Sequence, residues 1–114
     1  MIAVIFEVLP DPARSQTYFD LAAGLHSQLE QMDGFLSIER FQSLTNPAKL
    51  LSLSFWRDEE AVARWRRIEG HRAAQSLGRN GIFRDYRLRI ASVIRDYGLE
   101  DRAGAPDDSR AIHG

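Results

Sequence analysis

Ile2 to Leu9, IAVIFEVL, is apolar on both phases of its alternation except at Glu7, which predicts a strand covered on two sides and ended by Pro10 and Pro12. A lone carboxylate there is costly unless it is paired or faces water, so Glu7 either lines a cavity or is held by an Arg. From Ser15 to Met32 the period changes. Tyr18, Ala22, Leu25, Leu29 and Met32 recur at steps of four and three, the stripe of a long amphipathic helix with His26 at its boundary. Asp33-Gly34 stops that helix, glycine supplying the left-handed exit. Phe35 to Leu44 alternates again, Thr45-Asn46-Pro47 has turn chemistry, and Leu50 to Trp56 resumes the alternation. The two runs read as a hairpin with Leu51, Leu53 and Phe55 on its core face.

The stretch after Trp56 organises the rest. Asp58 reads as an N-cap, and Glu59 and Glu60 occupy a first turn, where free amides and the helix dipole favour carboxylates. Val62, Trp65 and Ile68 follow at helical spacing, then a break at Gly70, then His71, with the helical run ending near Gly78. An indole followed by an imidazole at such a junction belongs either to a packed supersecondary unit or to the lip of a pocket. Ile82 to Tyr97 reads as a last, long strand whose second half is free to pair with a second subunit. Beyond Gly98 no apolar period remains, which divides the chain into a domain over residues 1–97 and an extended or disordered arm over 98–114.

The order strand, helix, strand, strand, helix, strand predicts an α+β, ferredoxin-like split β-α-β fold, a four-stranded antiparallel sheet with both helices on one face. The other face then carries Ile5, Phe35, Phe41 and Trp56 among polar residues, too much apolar surface to leave in water. A two-fold homodimer, its sheets facing or closing into a barrel, covers it economically.

Composition narrows the function. A net charge of −1 argues against nucleic-acid binding, because phosphate neutralisation needs a basic excess. Fourteen of the 15 cations are Arg, Lys49 being the exception. With no cysteine there is no disulfide and no thiolate chemistry, and His26, His71 and His113 lack ligand spacing, so no metal site is expected. Ile2 to Leu9 is too short for a membrane span or a signal region, and the expected location is cytoplasmic.

Asp33-Gly-Phe35, the strand beginning at Met1 and above all SFWRDEEAVARWR give the chain its resemblance to the antibiotic biosynthesis monooxygenase superfamily of dimeric α/β barrels, over about Met1 to Tyr97. The resemblance implies a homodimer with a pocket in each subunit between sheet and helices. One branch resembles quinone-forming monooxygenases that use no metal or flavin, in which a phenolic anion itself reduces dioxygen. There His71, Trp65 and Glu7 would be catalytic, and Trp56, Gln75, Arg87 and Phe41 would line the site for a small aromatic or quinol molecule. In the haem-degrading branch Trp65 falls on the family tryptophan, but Gln75 stands where the iron-ligating histidine belongs and Glu7 where an asparagine belongs. Haem is therefore the alternative, and a non-enzymatic dimeric binding module is the third reading.

Overall fold

The computed structural model describes residues 1–68, 81 and 83–114. Its elements are β1 (Ile2–Pro10), a 3-10 turn (Pro12–Arg14), α1 (Ser15–Glu30), β2 (Phe35–Gln42), β3 (Leu50–Trp56), helix α2 over residues 59–68, β4 (Phe83–Ser92) and α3 (Asp107–His113). The sheet runs β2-β3-β1-β4 with every neighbour antiparallel, so β1 and β3 are central and β2 and β4 are edges. This is the α+β, ferredoxin-like arrangement expected from the alternating periods.

Local chemistry sets the element ends. Asp11 accepts from the Ala13 amide at 2.9 Å and starts the turn that leads into α1. Asp58 caps α2 as expected, its Oδ1 accepting from the Ala61 amide at 2.8 Å. Gly34 has φ of +86°, and a Cβ there would lie 2.6 Å from the Ala61 Cβ. The corner between α1 and β2 can therefore press against α2 only because this residue is glycine. Arg57 fastens the same corner, donating at 3.1 Å to each Asp33 oxygen and at 3.0 Å to Asp58.

The core lies between the sheet and the two helices. Leu29, Trp56, Ala61, Val62 and Trp65 form its buried centre, with Ile2, Val4, Leu25, Met32, Phe35 and Ile38 packed around them. A second cluster joins Val8 and Tyr18 to Phe6, Leu50 and Phe83. In this register Ile2, Val4, Phe6 and Val8 face the helices together with Leu50, Ser52, Ser54 and Trp56.

That phase reverses the expected one on β3. Leu51, Leu53 and Phe55, expected as core, lie on the helix-free face opposite Glu7, Ile5 and Ala3, while Trp56 and the buried Ser52 and Ser54 face the helices. An alternating strand with apolar residues on both phases has two acceptable orientations, and helix packing selects one. Here the small serines let the helix layer approach, the Trp56 indole fills the space beneath Leu29 and Trp65, and Ser54 Oγ accepts from Trp56 Nε1 at 2.9 Å.

Two bulges complete the difference. Phe35 pairs with Trp56 and Ser37 with Phe55, so Leu36 is the extra residue, and Phe35 and Ile38 both reach the core. Phe35 and Trp56 therefore do not belong to the helix-free face assigned to them from the alternation. On β4 the register shifts between Phe83 and Asp85, and Phe83 and Tyr86 both pack against Phe6, edge-on and tilted respectively.

The last strand is shorter than expected, ending at Ser92 rather than near Tyr97. Its partner β1 starts at Ile2, and after a final bond from the Val93 amide to Met1 O at 3.0 Å no β1 residue remains to pair with. The arm is also not featureless. It carries α3, and Arg102 ties it together by donating to Ser109 Oγ at 2.7 Å, Gly114 O at 2.8 Å and Gly98 O at 3.2 Å, with its guanidinium 5.1 Å from the Tyr97 ring centroid.

Candidate functional site

Among the described residues, those singled out from sequence do not form one constellation. Trp56 and Trp65 lie inside the helix-covered core, 1% and 6% exposed, with ring centroids 6.3 Å apart. Glu7, Phe41 and Arg87 project from the opposite face of the sheet. The sheet itself separates the two groups. His71 and Gln75 lie outside the described residues.

On the helix-free face Glu7 Oε2 sits 3.3 Å from Lys49 Nζ and 3.3 Å from Arg89 Nη1, while Arg87 stands directly across the strand pair from it. This is the cationic partnership that a carboxylate in a central strand requires, with a lysine and Arg89 as its members. Hydrogen bonds from Lys49 and then Arg89 hold the Glu7 carboxyl below the usual glutamate range. Ionised and twice paired, Glu7 is a weak proton acceptor at neutral pH. It borders a groove of about 220 Å³ lined by Phe41, Gln42, Ser43, Lys49, Leu50 and Leu51.

The covered face carries a feature that the linear pattern did not reveal. Where β1, β4 and α1 meet, Phe6, Tyr18, Phe19, Phe83 and Tyr86 form a chain of rings. Phe6 is 5.7 Å from Phe83 and 5.8 Å from Tyr86, and Tyr18 is 5.6 Å from both Phe19 and Phe83. The edge-on and tilted arrangements suit ring quadrupoles. Tyr86 is 54% exposed, and Leu88 and Ile90 continue the same side of β4 at 48% and 42%. The result is an aromatic wall that runs from the buried Tyr18 ring through Phe83 and Phe6 to the half-exposed Tyr86 ring.

Sequence periodicity missed the wall because its members come from three elements, and because the shift at Arg84 puts Phe83 on the same side as Tyr86 against strict alternation. The available signal was compositional. Phe6, Tyr18, Phe19, Phe83 and Tyr86 are five of the chain's nine Phe and Tyr residues.

Comparison with known proteins bears on the family and the fold. The profile of the antibiotic biosynthesis monooxygenase family matches residues 1–77. A jasmonate monooxygenase of the fungus Pyricularia oryzae is 46% identical over 93 residues, covering 82% of this chain, which spans only 43% of that relative's length. Among solved structures, Rv0793 of Mycobacterium tuberculosis superposes with a TM-score of 0.72 at 18% identity, over 85% of this chain and 98% of its own. A variant of MhuD, holding two manganese protoporphyrin IX molecules per active site, superposes at 0.68 with 16% identity, over 86% of this chain and 99% of its own. These two likenesses speak for the fold. The match over more than half of its length makes this chain a member of the antibiotic biosynthesis monooxygenase family.

Proposed function

We propose that the chain is a monooxygenase that needs no metal or flavin and oxidises a small aromatic or quinol substrate against the ring wall of Phe6, Tyr18, Phe83 and Tyr86. The observation that supports this reading is the ring cluster of Phe6, Tyr18, Phe83 and Tyr86 on the helix-facing side of the sheet, with Tyr86 half exposed, in a chain whose family gives its fold. A substrate phenol loses its proton, the anion delivers electrons to dioxygen, one oxygen atom enters the ring to give a quinone and the other leaves as water. The protein's part is to stack the ring, exclude water and accept the proton.

Among the residues named from sequence, we give the proton-accepting role to His71, whose ordinary pKa lies near neutrality, and not to the cation-held Glu7. Trp65 and Trp56 then act as the floor that fixes α2. We further propose a two-fold homodimer joined through the helix-free face, where Ile5, Leu51, Leu53 and Phe55 form an apolar patch.

The 46% identity to a jasmonate monooxygenase favours a second substrate reading, an alicyclic ketone in place of a phenol. Dioxygen uptake by the purified full chain with a quinol and naphthol panel, with jasmonate and with haem separates these cases. Turnover of phenolics that His71→Ala lowers on the order of a hundredfold or more supports the main reading. Turnover of jasmonate alone moves the chain to the second. A Soret band on haem titration without oxidation of either class would return it to the haem alternative.

A further inference from the structure

Ser52 and Ser54 are the buried polar side chains of the described residues, 8% and 6% exposed, and both face the helices. Ser54 Oγ is taken up by the Trp56 indole at 2.9 Å. Two hydroxyls of this layer are left over. Neither Ser52 Oγ nor the hydroxyl of Tyr18, a residue 6% exposed, has a hydrogen-bond partner among the described residues. Every side-chain N or O of those residues that is sealed from solvent does have one. The two hydroxyls are therefore not sealed, and each opens on space that an outside atom can enter.

Neither hydroxyl is needed for packing. Tyr18 packs through its ring, 5.6 Å from Phe83 and clustered with Val8, Phe6 and Leu50, contacts that a phenylalanine would make as well. Ser52 lets the helix layer approach because it is small, and alanine is smaller. An unpaired hydroxyl in an apolar layer is destabilising, and a buried tyrosine ordinarily finds a partner for its O–H. Both groups stand beside the ring wall. Ser52 lies directly across the β1–β3 pair from Phe6, and Leu50, one same-face step or about 7 Å from Ser52, belongs to the cluster of Tyr18. Phe6 is the ring that joins Phe83 to Tyr86, so hydroxyls reach the middle of the wall from β3 and from α1.

Such a pair has a specific chemistry. Each hydroxyl can donate one hydrogen bond and accept others. No acid or base is buried among the described residues, so the pair suits a neutral oxygen, a phenol O–H or a ketone carbonyl, and offers no counter-charge to a carboxylate. We propose that Tyr18 and Ser52 are a two-hydroxyl seat for the oxygen of a substrate ring that lies on the wall. This rests on the reading of the wall as the substrate surface, and it names the group that the surface selects. When a phenol seated there loses its proton, both O–H groups donate to the anion and stabilise charge where it develops.

Calorimetric titration of the full chain with naphthol, tetralone and methylnaphthalene reads the seat without turnover, since the three probes are alike in size and differ in their oxygen. Naphthol or tetralone should bind at least ~tenfold more tightly than methylnaphthalene, naphthol marking a seat for a phenol and tetralone one for a ketone. Tyr18→Phe and Ser52→Ala should each narrow that preference severalfold, with the affinity for methylnaphthalene and the thermal midpoint near those of the wild type. A preference unchanged in both variants would mean that the hydroxyls are merely hydrated, and would overturn the seat. Equal weakening of all three probes, or a lowered midpoint, would give the hydroxyls a structural role and overturn it likewise. Failure of the wild type to bind any of the probes overturns the seat and the wall together. The expected binding pattern without dioxygen uptake upholds the seat and overturns the oxygenase reading alone.

Discussion

Single residues carry the electrostatics of the helix corner. Hydrogen bonds from Arg57 hold the Asp33 carboxyl below its ordinary value, and the Ala61 amide followed by Arg57 does the same for Asp58. Because both folded-state values are depressed, the unfolded chain binds more protons in the window beneath its own aspartate value. Their contribution to stability is therefore present above about pH 4 and is lost as pH falls through the lower folded values. Urea midpoints measured across that window should decline on acidification, and Asp33→Asn should flatten the decline. Asp58→Ala removes the cap of α2 and should lower the thermal midpoint at neutral pH, where Asp58→Asn, still able to accept from the Ala61 amide, should lower it less. The cap was legible in sequence because it depends on neighbours three residues apart. The Asp33 to Arg57 pair, separated by 24 positions, was not.

At the scale of elements, the fold rests on a few close approaches between strand, helix and corner. Trp56 is 1% exposed and packs between Leu29 and Trp65, so Trp56→Ala should cost roughly 3–5 kcal/mol in chemical denaturation. Gly34→Ala should destabilise by more than about 1 kcal/mol, since it adds both positive-φ strain and a contact with Ala61 that something must move to relieve. The ring wall belongs to this scale too. Tyr86→Ala removes the exposed ring of the wall without opening the buried core, and we expect it to lower kcat/KM by about tenfold while the thermal midpoint changes little. Equal losses of activity and stability would mean that the ring supports the fold and not the substrate.

For the whole molecule the expected assembly is the two-fold dimer. Sedimentation at micromolar concentration checks it, and Leu53→Lys, which puts a charge in the middle of the helix-free face, should give monomers that keep their secondary structure by circular dichroism. A dimer unaffected by that change would place the interface elsewhere. No helix of the described residues is long and apolar enough to cross a membrane, which agrees with the short apolar runs of the sequence.

The sequence alone determined the order and type of most elements, the cap at Asp58, the turn at Gly34, the single sheet and the family, because each depends on residues near one another along the chain. What it left open was which side of each strand faces the helices. Val8 beside Leu9, or Phe55 beside Trp56, satisfies a strand in either phase, and only the packing of α1 and α2 against Trp56, with bulges at Leu36 and Arg84, selected one. That choice sent Glu7, Phe41 and Arg87 to one side and Trp56 and Trp65 to the other, and it assembled five rings from three elements. Side-chain period is a local property. The identity of the covered face is a property of the packed whole.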